Sequence, residues 1–270
     1  MEGKIIKIIN SDFTVSCNNE LYICKARGKF RNQNIIPIVG DNVIINDNII
    51  TEVLKRKNEL KRPPVANIDQ VIIVASLKEP DLDLYLLDKM LCIIEYNNIK
   101  PIICFTKKDL LKDNIDNIYD YYKKIGYQVF YNDEIDKIKQ IFKDKVTVLS
   151  GQSGSGKSTL LNLLDNSLSL KTNEISKALG RGKHTTRHVC LYSLFDGLIA
   201  DTPGFSALDF YDMSLSDIRD NMIEFNEYKD LCTYKDCMHV KEPKCEIKNQ
   251  INKEILKSRY ENYLKFIRKD

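Results

Sequence analysis

The chain carries a loop whose residues are suited to binding phosphate. An apolar run at 146–149 and a helical pattern at 157–165 flank a segment that fits G-x-x-x-x-G-K-[ST]. Glycines let backbone amides point at phosphates, and a helix N-terminus adds positive potential. Lys157 is expected to reach the β- and γ-phosphates, and Ser158 to offer its hydroxyl to Mg²⁺. The residues predicted to bind nucleotide here are Gly151, Gln152, Ser153, Gly154, Ser155, Gly156, Lys157, Ser158 and Thr159.

A second motif predicts the surroundings of the Mg²⁺ ion and the γ-phosphate. Asp201-Thr202-Pro203-Gly204 follows the apolar run at 198–200. An acidic residue at the end of a parallel strand can join the Mg²⁺ shell, so Asp201 is predicted to act there with Ser158. The backbone amide of Gly204 is predicted to contact the γ-phosphate, which makes this segment a candidate nucleotide-dependent switch.

A third motif predicts which base is bound. Thr106-Lys107-Lys108-Asp109 follows the apolar run at 102–105 and is similar to the [N/T]-K-x-D motif of GTPases. The Asp109 carboxylate can accept hydrogen bonds from N1–H and from the N2 amino group of guanine, whereas adenine does not present this pair of donors. Lys107 is expected to lie along the base and ribose. The motif favours GTP and GDP, and a P-loop ATPase or kinase is the alternative.

The order of the three motifs is unusual. The base motif at 106–109 precedes the phosphate loop, and the Asp-Thr-Pro-Gly motif comes last, whereas most P-loop GTPases begin with the phosphate loop. A circularly permuted chain can still build one site, because the site depends on spatial order. Alternating patterns predict an α/β domain over 63–220 with a mostly parallel sheet covered on both faces. The predicted strands are 71–75, 102–105, 127–131, 146–149, 190–195 and 197–200, and the predicted helices are 84–97, 115–125, 135–142 and 157–165.

A switch loop is expected between the phosphate loop and the last motif, where His184 and His188 lie. Thr185 or Thr186 is the candidate to meet Mg²⁺ and the γ-phosphate. Phe205 occupies the position where many GTPases have a water-orienting glutamine, and a phenyl ring cannot orient water. His184 is the candidate for that role, the alternative being that the histidines contact RNA phosphate or cap the loop. The predicted catalytic residues are therefore His184, Thr186, Asp201, Gly204 and Lys157.

A metal site is predicted near the C-terminus. Three cysteines and one histidine follow the spacing C-x4-C-x-H-x5-C, and this ligand set suits tetrahedral Zn²⁺ with no open position for catalysis. A structural zinc ion would stabilise a segment that has few apolar residues of its own. The ligands are Cys232, Cys237, His239 and Cys245, and the cysteines expected to be reduced core residues are Cys17, Cys24, Cys92, Cys104 and Cys190.

Residues 1–62 are predicted to form a small β-barrel. Strand patterns at 4–9, 13–17, 20–25, 43–45 and 49–53 are separated by turn residues. An OB-fold with a basic face that includes the aromatic Phe30 is favoured, and an SH3-like barrel is the alternative. The cations expected beside Phe30 are Lys25, Arg27, Lys29 and Arg31.

Charge differs along the chain. Residues 1–62 carry 11 Lys and Arg against 7 Asp and Glu, residues 63–220 carry 19 against 22, and residues 221–270 carry 11 against 9. Basic ends are compatible with nucleic-acid contact at both ends, although solvated surfaces would give the same pattern. Residues 221–270 are predicted to be an α-helical zinc-binding domain. Its helix is expected at 251–267, with an apolar stripe at Ile255, Tyr260, Tyr263 and Phe266.

The sequence lacks the signals of membrane proteins and secreted proteins. No apolar run approaches the roughly 18 residues that span a bilayer, and the first residues include no cleavable apolar region. We therefore expect a cytoplasmic protein without a membrane partner. Separately, we expect a monomer.

The combination of permuted motifs and zinc spacing resembles the RsgA (YjeQ) family of small ribosomal subunit biogenesis GTPases, over essentially the whole chain. The resemblance implies a GTPase that acts late in 30S maturation, contacts 16S rRNA through its terminal domains and is stimulated by the subunit. The chain departs from the usual pattern in two features. Thr106 replaces the commoner asparagine, and residues 130–132 lack the Ser-Ala-like signature of the remaining base-contact loop, so no residue is assigned there. An RNA-binding assembly factor with a purely structural nucleotide is a further alternative.

Overall fold

The structure is a computed structural model of the whole chain. The residues that it describes are 1–28, 30, 35–61, 64–111, 116–165, 189–201 and 209–268.

The N-terminal part of the described chain is a closed five-stranded β-barrel. Its strands follow the order β1-β2-β3-β5-β4, and β4 pairs back with β1. Only the β3–β5 pair is parallel. This closed arrangement is OB-like and confirms the predicted barrel, so the SH3-like alternative is wrong. The strands are β1 (Glu2–Ile9), β2 (Asp12–Cys17), β3 (Glu20–Ala26), β4 (Asn42–Asn46) and β5 (Ile49–Val53).

Phe30 does not lie on the outer face of the barrel, and this prediction was wrong. Its side chain is 3% exposed and packs in the barrel core with Val15 and Ile50. Closing a small barrel leaves a core that needs large apolar side chains, which explains why the ring points inward. The outer face of β3 instead presents Leu21, Ile23 and Lys25, all exposed.

A mostly parallel sheet forms the centre of the molecule. In the described chain its order is β10-β9-β8-β11-β13-β12, and only β12 runs antiparallel to its neighbour β13. The barrel joins this sheet through one pairing, between Lys7 of β1 and Cys190 of β12. The strands are β8 (Gln70–Ser76), β9 (Lys100–Thr106), β10 (Gln128–Tyr131), β11 (Val146–Ser150), β12 (Cys190–Leu194) and β13 (Gly197–Asp201).

Helices cover both faces of this sheet, as predicted. Successive residues of β8 point to opposite faces: Ile73 packs in one buried cluster with Leu87 and Leu91, and Ile72 packs in another with Leu160. A two-stranded ribbon, β6 (Glu59–Lys61) and β7 (Pro64–Ala66), joins the first cluster. The helices are α1 (Leu84–Tyr96), α2 (Asp116–Lys124), α3 (Ile135–Gln140) and α4 (Lys157–Leu164). No helix within the described ranges is long and apolar enough to cross a membrane.

The C-terminal region is helical, with one correction to the prediction. Its last helix begins at Lys257, because Asn252 has a φ of 64° and its amide donates to the carbonyl of Ile255 at 2.9 Å, which closes a turn. Tyr260, Tyr263 and Phe266 form the predicted buried stripe, whereas Ile255 is buried just before the helix. The helices are α5 (Leu215–Asp220), α6 (Glu246–Asn249) and α7 (Lys257–Arg268).

A buried ionic network joins α7 to α1. The Arg259 guanidinium donates to Asp88 at 2.6 Å and to Glu224 at 2.6 and 3.0 Å. Tyr122 and Asn262 donate to the same Asp88 carboxylate at 2.5 and 2.7 Å. Burial raises the pKa of Tyr122 well above its ordinary value, so the phenol keeps its proton and acts as a donor. Buried polar contacts therefore join the C-terminal region to the helices that cover the central sheet.

Candidate nucleotide-binding site and metal centre

The phosphate loop, the base motif and the beginning of the last motif meet at one edge of the sheet. The parallel strands β8, β9, β11 and β13 end there at Ser76, Thr106, Ser150 and Asp201. Parallel strands place their carboxyl ends on one side, and ligands of such sheets bind outside that edge. The permuted order of the sequence motifs is thus compatible with one compact site.

Glycines allow the phosphate loop to curl at this edge. Gly151 has a φ of 140°, and a Cβ there would lie 2.2 Å from the carbonyl oxygen of Val74 in β8. Gly156 adopts a left-handed conformation, with a φ of 95°, and precedes the first residue of α4. Side chains at these two positions would strain the backbone or clash, which is why the sequence has glycine there.

Polar groups of the loop converge on its centre. Lys157 Nζ donates to the carbonyl oxygens of Gly151 and Gln152, each at 2.7 Å, and burial lowers the pKa of the ammonium. The Ser155 hydroxyl is 1% exposed and has no hydrogen-bond partner among the described residues. A buried hydroxyl without a partner is costly, so it fits a loop whose partner is a bound phosphate. Ser158 and Thr159 are exposed in the first turn of α4, and Ser153 and Gly154 are exposed in the loop.

The base motif is fastened to the phosphate loop. Thr106 is buried at the end of β9, and its hydroxyl donates to the carbonyl oxygen of Ser155 at 2.6 Å. Threonine at this position therefore makes a direct contact although it lacks the amide of the commoner asparagine. Asp109 is exposed on a short 3₁₀ turn, Lys108–Leu110, where its carboxylate can face a ligand.

Sequence reasoning missed the loop that follows β8. Lys107 has a φ of 59°, and its ammonium donates to the carbonyl oxygen of Glu79 in this loop. The Leu77 amide donates to the carbonyl of Thr106 at 3.1 Å, and Pro80 lies beside Gly154. The sequence could have indicated that this loop lies near the nucleotide site. A loop that follows a strand of a parallel sheet lies at the edge of the sheet where ligands bind.

Tyr131, at the end of β10, was also missed. Its ring centre lies 3.9 Å from the Lys108 ammonium, and it stacks on Tyr119 with centroids 4.6 Å apart. Residues 130–132 lack the Ser-Ala-like signature of a base-contact loop, and nothing in the sequence indicates that the Tyr131 ring contacts Lys108.

Part of the predicted catalytic machinery lies outside the described residues. This holds for His184, Thr185, Thr186, His188, Gly204 and Phe205. The backbone of Asp201 is described as the last residue of β13, opposite Cys190, and its side chain is outside the described part. The roles of all these residues in catalysis and in the switch remain predictions.

The four predicted zinc ligands come together. Their ligand atoms all lie within 4.8 Å of one another, and Cys237, His239 and Cys245 are buried. Cys232 Sγ lies 3.9 Å from Cys245 Sγ and 3.6 Å from His239 Nδ1, which is 3.4 Å from Cys245 Sγ. Tetrahedral zinc with ordinary bond lengths requires about 3.8 Å between two sulfurs and about 3.5 Å between sulfur and nitrogen. The donor set therefore fits a single zinc ion.

Neighbouring groups hold the cluster in this geometry. The Glu242 carboxylate accepts hydrogen bonds from the amides of Met238, Val240 and Lys241 at 2.8–3.0 Å, which shapes the loop around His239. Tyr260 of α7 donates to the His239 carbonyl at 2.6 Å. Such contacts around the ligands orient them toward the metal.

Burial sets the protonation of the ligands. It lowers the pKa of His239 to about 4, so the imidazole is neutral and able to bind a metal near pH 7. It raises the pKa of the Cys245 thiol to about 12, so a thiolate at this position needs a cation beside it. Cys17, Cys24, Cys92, Cys104 and Cys190 are free and buried, as predicted.

Comparisons with known proteins agree with this architecture. The RsgA GTPase family model matches residues 53–211, and the RsgA N-terminal domain model matches residues 2–51. The small ribosomal subunit biogenesis GTPase RsgA 2 of Oceanobacillus iheyensis is 48% identical, over 98% of this chain and 96% of the relative. The corresponding RsgA of Enterococcus faecalis is 44% identical, over 99% and 94%.

Two solved structures share the fold. One is YloQ, described as a circularly permuted GTPase, which is 36% identical with a TM-score of 0.83 and covers 99% of this chain and 94% of its own. The other is YjeQ from Thermotoga maritima, which is 32% identical with a TM-score of 0.85 and covers 99% and 97%.

Proposed function

Because the chain belongs to the RsgA family of circularly permuted GTPases, we propose that it hydrolyses GTP to assist maturation of the small ribosomal subunit. The family makes the protein a GTP hydrolase, so the alternative of an ATPase or kinase is not supported. The observation that carries the nucleotide assignment is the hydrogen bond from Thr106 to Ser155, which joins the base motif to the phosphate loop at one sheet edge. Phosphate and guanine can therefore be bound side by side.

Different residues of the described chain are proposed to bind the phosphates, the base and Mg²⁺. Backbone amides of residues 151–156 and the Lys157 ammonium hold the phosphates, and the helix α4 directs its N-terminus at them. Asp109 accepts hydrogen bonds from guanine, and Lys107 borders the base. Ser158, exposed at the start of α4, and Asp201, at the end of β13, would hold Mg²⁺. When bound, this ion neutralises charge on the β- and γ-phosphates.

The switch residues are proposed to act at the γ-phosphate. Thr186 and the amide of Gly204 contact the γ-phosphate side of the site, and His184 orients the attacking water in place of the glutamine that Phe205 replaces. Lys157 stabilises the negative charge that develops on the transferred group.

Guanine selection through Asp109 is tested by Asp109→Asn. The variant loses a carboxylate that accepts two hydrogen bonds, each charge-assisted and worth roughly 1.5–3 kcal/mol, so affinity for GDP should fall at least about tenfold. Affinity for xanthosine diphosphate should rise, because the amide can donate to its C2 carbonyl. Isothermal titration with both nucleotides measures the change.

The matched control is Asp120→Asn, which alters an exposed carboxylate on α2. It should bind GDP like the unmodified chain. Unchanged GDP preference in Asp109→Asn would show that another group reads the base.

The terminal regions are proposed to bind the 30S subunit and its 16S rRNA, which stimulates hydrolysis. In the barrel, β3 exposes Lys25 on the face that OB-folds use for oligonucleotides.

Residues 1–62, 63–220 and 221–270 stay the proposed domains. One structural zinc ion is proposed to be held by Cys232, Cys237, His239 and Cys245. We place the protein in the cytoplasm and expect it to act as a monomer.

Replacing His184 with alanine should separate turnover from binding. Turnover stimulated by 30S subunits should fall much more than affinity for GTP, because the proposed contact with water forms in the transition state. GTP hydrolysis with and without 30S subunits, together with the dissociation constant of a non-hydrolysable analogue, gives both quantities. Absence of any stimulation in the unmodified chain would favour the alternative in which the nucleotide is purely structural.

A further inference from the structure

The turn that presents Asp109 is fastened by each of the three residues before it. Thr106 ties it to the phosphate loop, and Lys107 ties it to the loop after β8. Lys108 is the variable position of the motif, and its ammonium lies over the Tyr131 ring at 3.9 Å. The base-reading turn is therefore held from three neighbouring loops, and the third tether has no role in the motif itself.

Neighbouring residues restrain the Tyr131 ring that contacts the Lys108 ammonium. Tyr119 stacks on it with an interplanar angle of 8°, and the Tyr119 hydroxyl donates to the carbonyl of Val129 at 3.2 Å. The backbone amide of Tyr131 donates to the Glu134 carboxylate at 2.9 Å, and the strand pairing places Tyr131 opposite Phe105. Backbone and ring are thus both held, so the ring can restrain Lys108.

We propose that Tyr131 is a positioning residue for guanine selection, acting through Lys108 on the turn that carries Asp109. The inference rests on the proposed function, in which Asp109 binds the N1–H and the N2 amino group of guanine. Two simultaneous hydrogen bonds depend on the orientation of the carboxylate, whereas the phosphates are held by a different loop. Loosening the turn therefore weakens recognition of the N2 amino group and spares binding of the phosphates.

Comparison of GDP with inosine diphosphate isolates this contribution, because hypoxanthine lacks only the N2 amino group. Titration calorimetry gives the ratio of the two dissociation constants without interference from hydrolysis. In Tyr131→Leu this ratio should fall about threefold, the size expected when an exposed ammonium lies over an aromatic ring. Affinity for inosine diphosphate, which keeps only the N1–H contact with Asp109, should fall less than affinity for GDP.

Four further variants test the route through Lys108. Lys108→Met should lower the ratio as Tyr131→Leu does, and the double variant should lower it no further, because both remove one interaction. Tyr131→Phe keeps the ring and should keep the ratio. Lys123→Met removes an exposed lysine from α2 and should change nothing.

Three outcomes would overturn the inference. Equal weakening of both nucleotides in Tyr131→Leu would show a merely structural role, and an unchanged ratio would show no role. Lys108→Met alters an exposed side chain, so its result is decisive even if Tyr131→Leu does not fold. If the unmodified chain does not distinguish the two nucleotides and Asp109→Asn has no effect, base reading by Asp109 itself is wrong, and this inference falls with it.

Discussion

Replacing Arg259 with alanine should lower the free energy of unfolding by about 3–5 kcal/mol, because it leaves buried carboxylates without their cation. The side chains of Arg259, Asp88 and Glu224 are 1–3% exposed, so water cannot take over the role of the guanidinium. Burial by itself would lower the pKa of Arg259, but Glu224 and Asp88 raise it well above its ordinary value, so the cation persists. Urea unfolding followed by circular dichroism measures the loss.

The chain offers a matched control for this variant. Lys124 of α2 pairs with Glu254 and so also links the central region to the C-terminal region, but both side chains are largely exposed. Exposed pairs contribute little, so Lys124→Ala should leave the unfolding midpoint unchanged. Equal midpoints for Arg259→Ala and Lys124→Ala would mean that the buried network does not stabilise the fold.

Replacing Cys237 with serine should release zinc and loosen the loop 232–245. Cys237 is 3% exposed within the cluster, and structural zinc sites supply much of the folding free energy of the segments that they close. We expect a lower thermal midpoint and loss of zinc by atomic absorption. GTP binding should persist, whereas 30S association should differ less between a non-hydrolysable GTP analogue and GDP.

Cys17→Ala is the control, because Cys17 is a buried cysteine of the barrel and lies outside the cluster. It should retain one zinc ion per chain. If Cys237→Ser loses zinc but keeps the full difference between the two nucleotide states, the metal region is a passive RNA anchor and the coupling runs elsewhere.

The parts of the site that could be predicted are those in which chemistry fixes the residue type. Phosphate binding by such a loop requires glycines like those at 151 and 156, and zinc requires thiolates and an imidazole, so the spacing of these residue types was enough to predict both sites. The proposed role of Asp109 in guanine binding follows from the same kind of reasoning. The tethers of Lys107 and Lys108 were not, because their partners lie 28 and 23 residues away in other loops.

The errors in the fold share one physical cause, which is that local patterns do not reveal tertiary partners. Phe30 stands among cations in the sequence, and only closure of the barrel determines that it points inward. Residues 251–256 have helical spacing, but the Ile251–Ile255 bridge replaces the first turn of the predicted helix.

The strand order determines which strands can pair first while the chain is being synthesised. Chains are made from the N-terminus, and domains fold as they emerge. The barrel can close once Val53 has left the ribosome, and β8 can then pair with β9, whereas its other neighbour, β11, is made about seventy residues later. The residues proposed to read the base are therefore made before the loop that is proposed to hold phosphate. The pairing of Lys7 with Cys190, across 183 residues, joins one of the first strands made to one of the last.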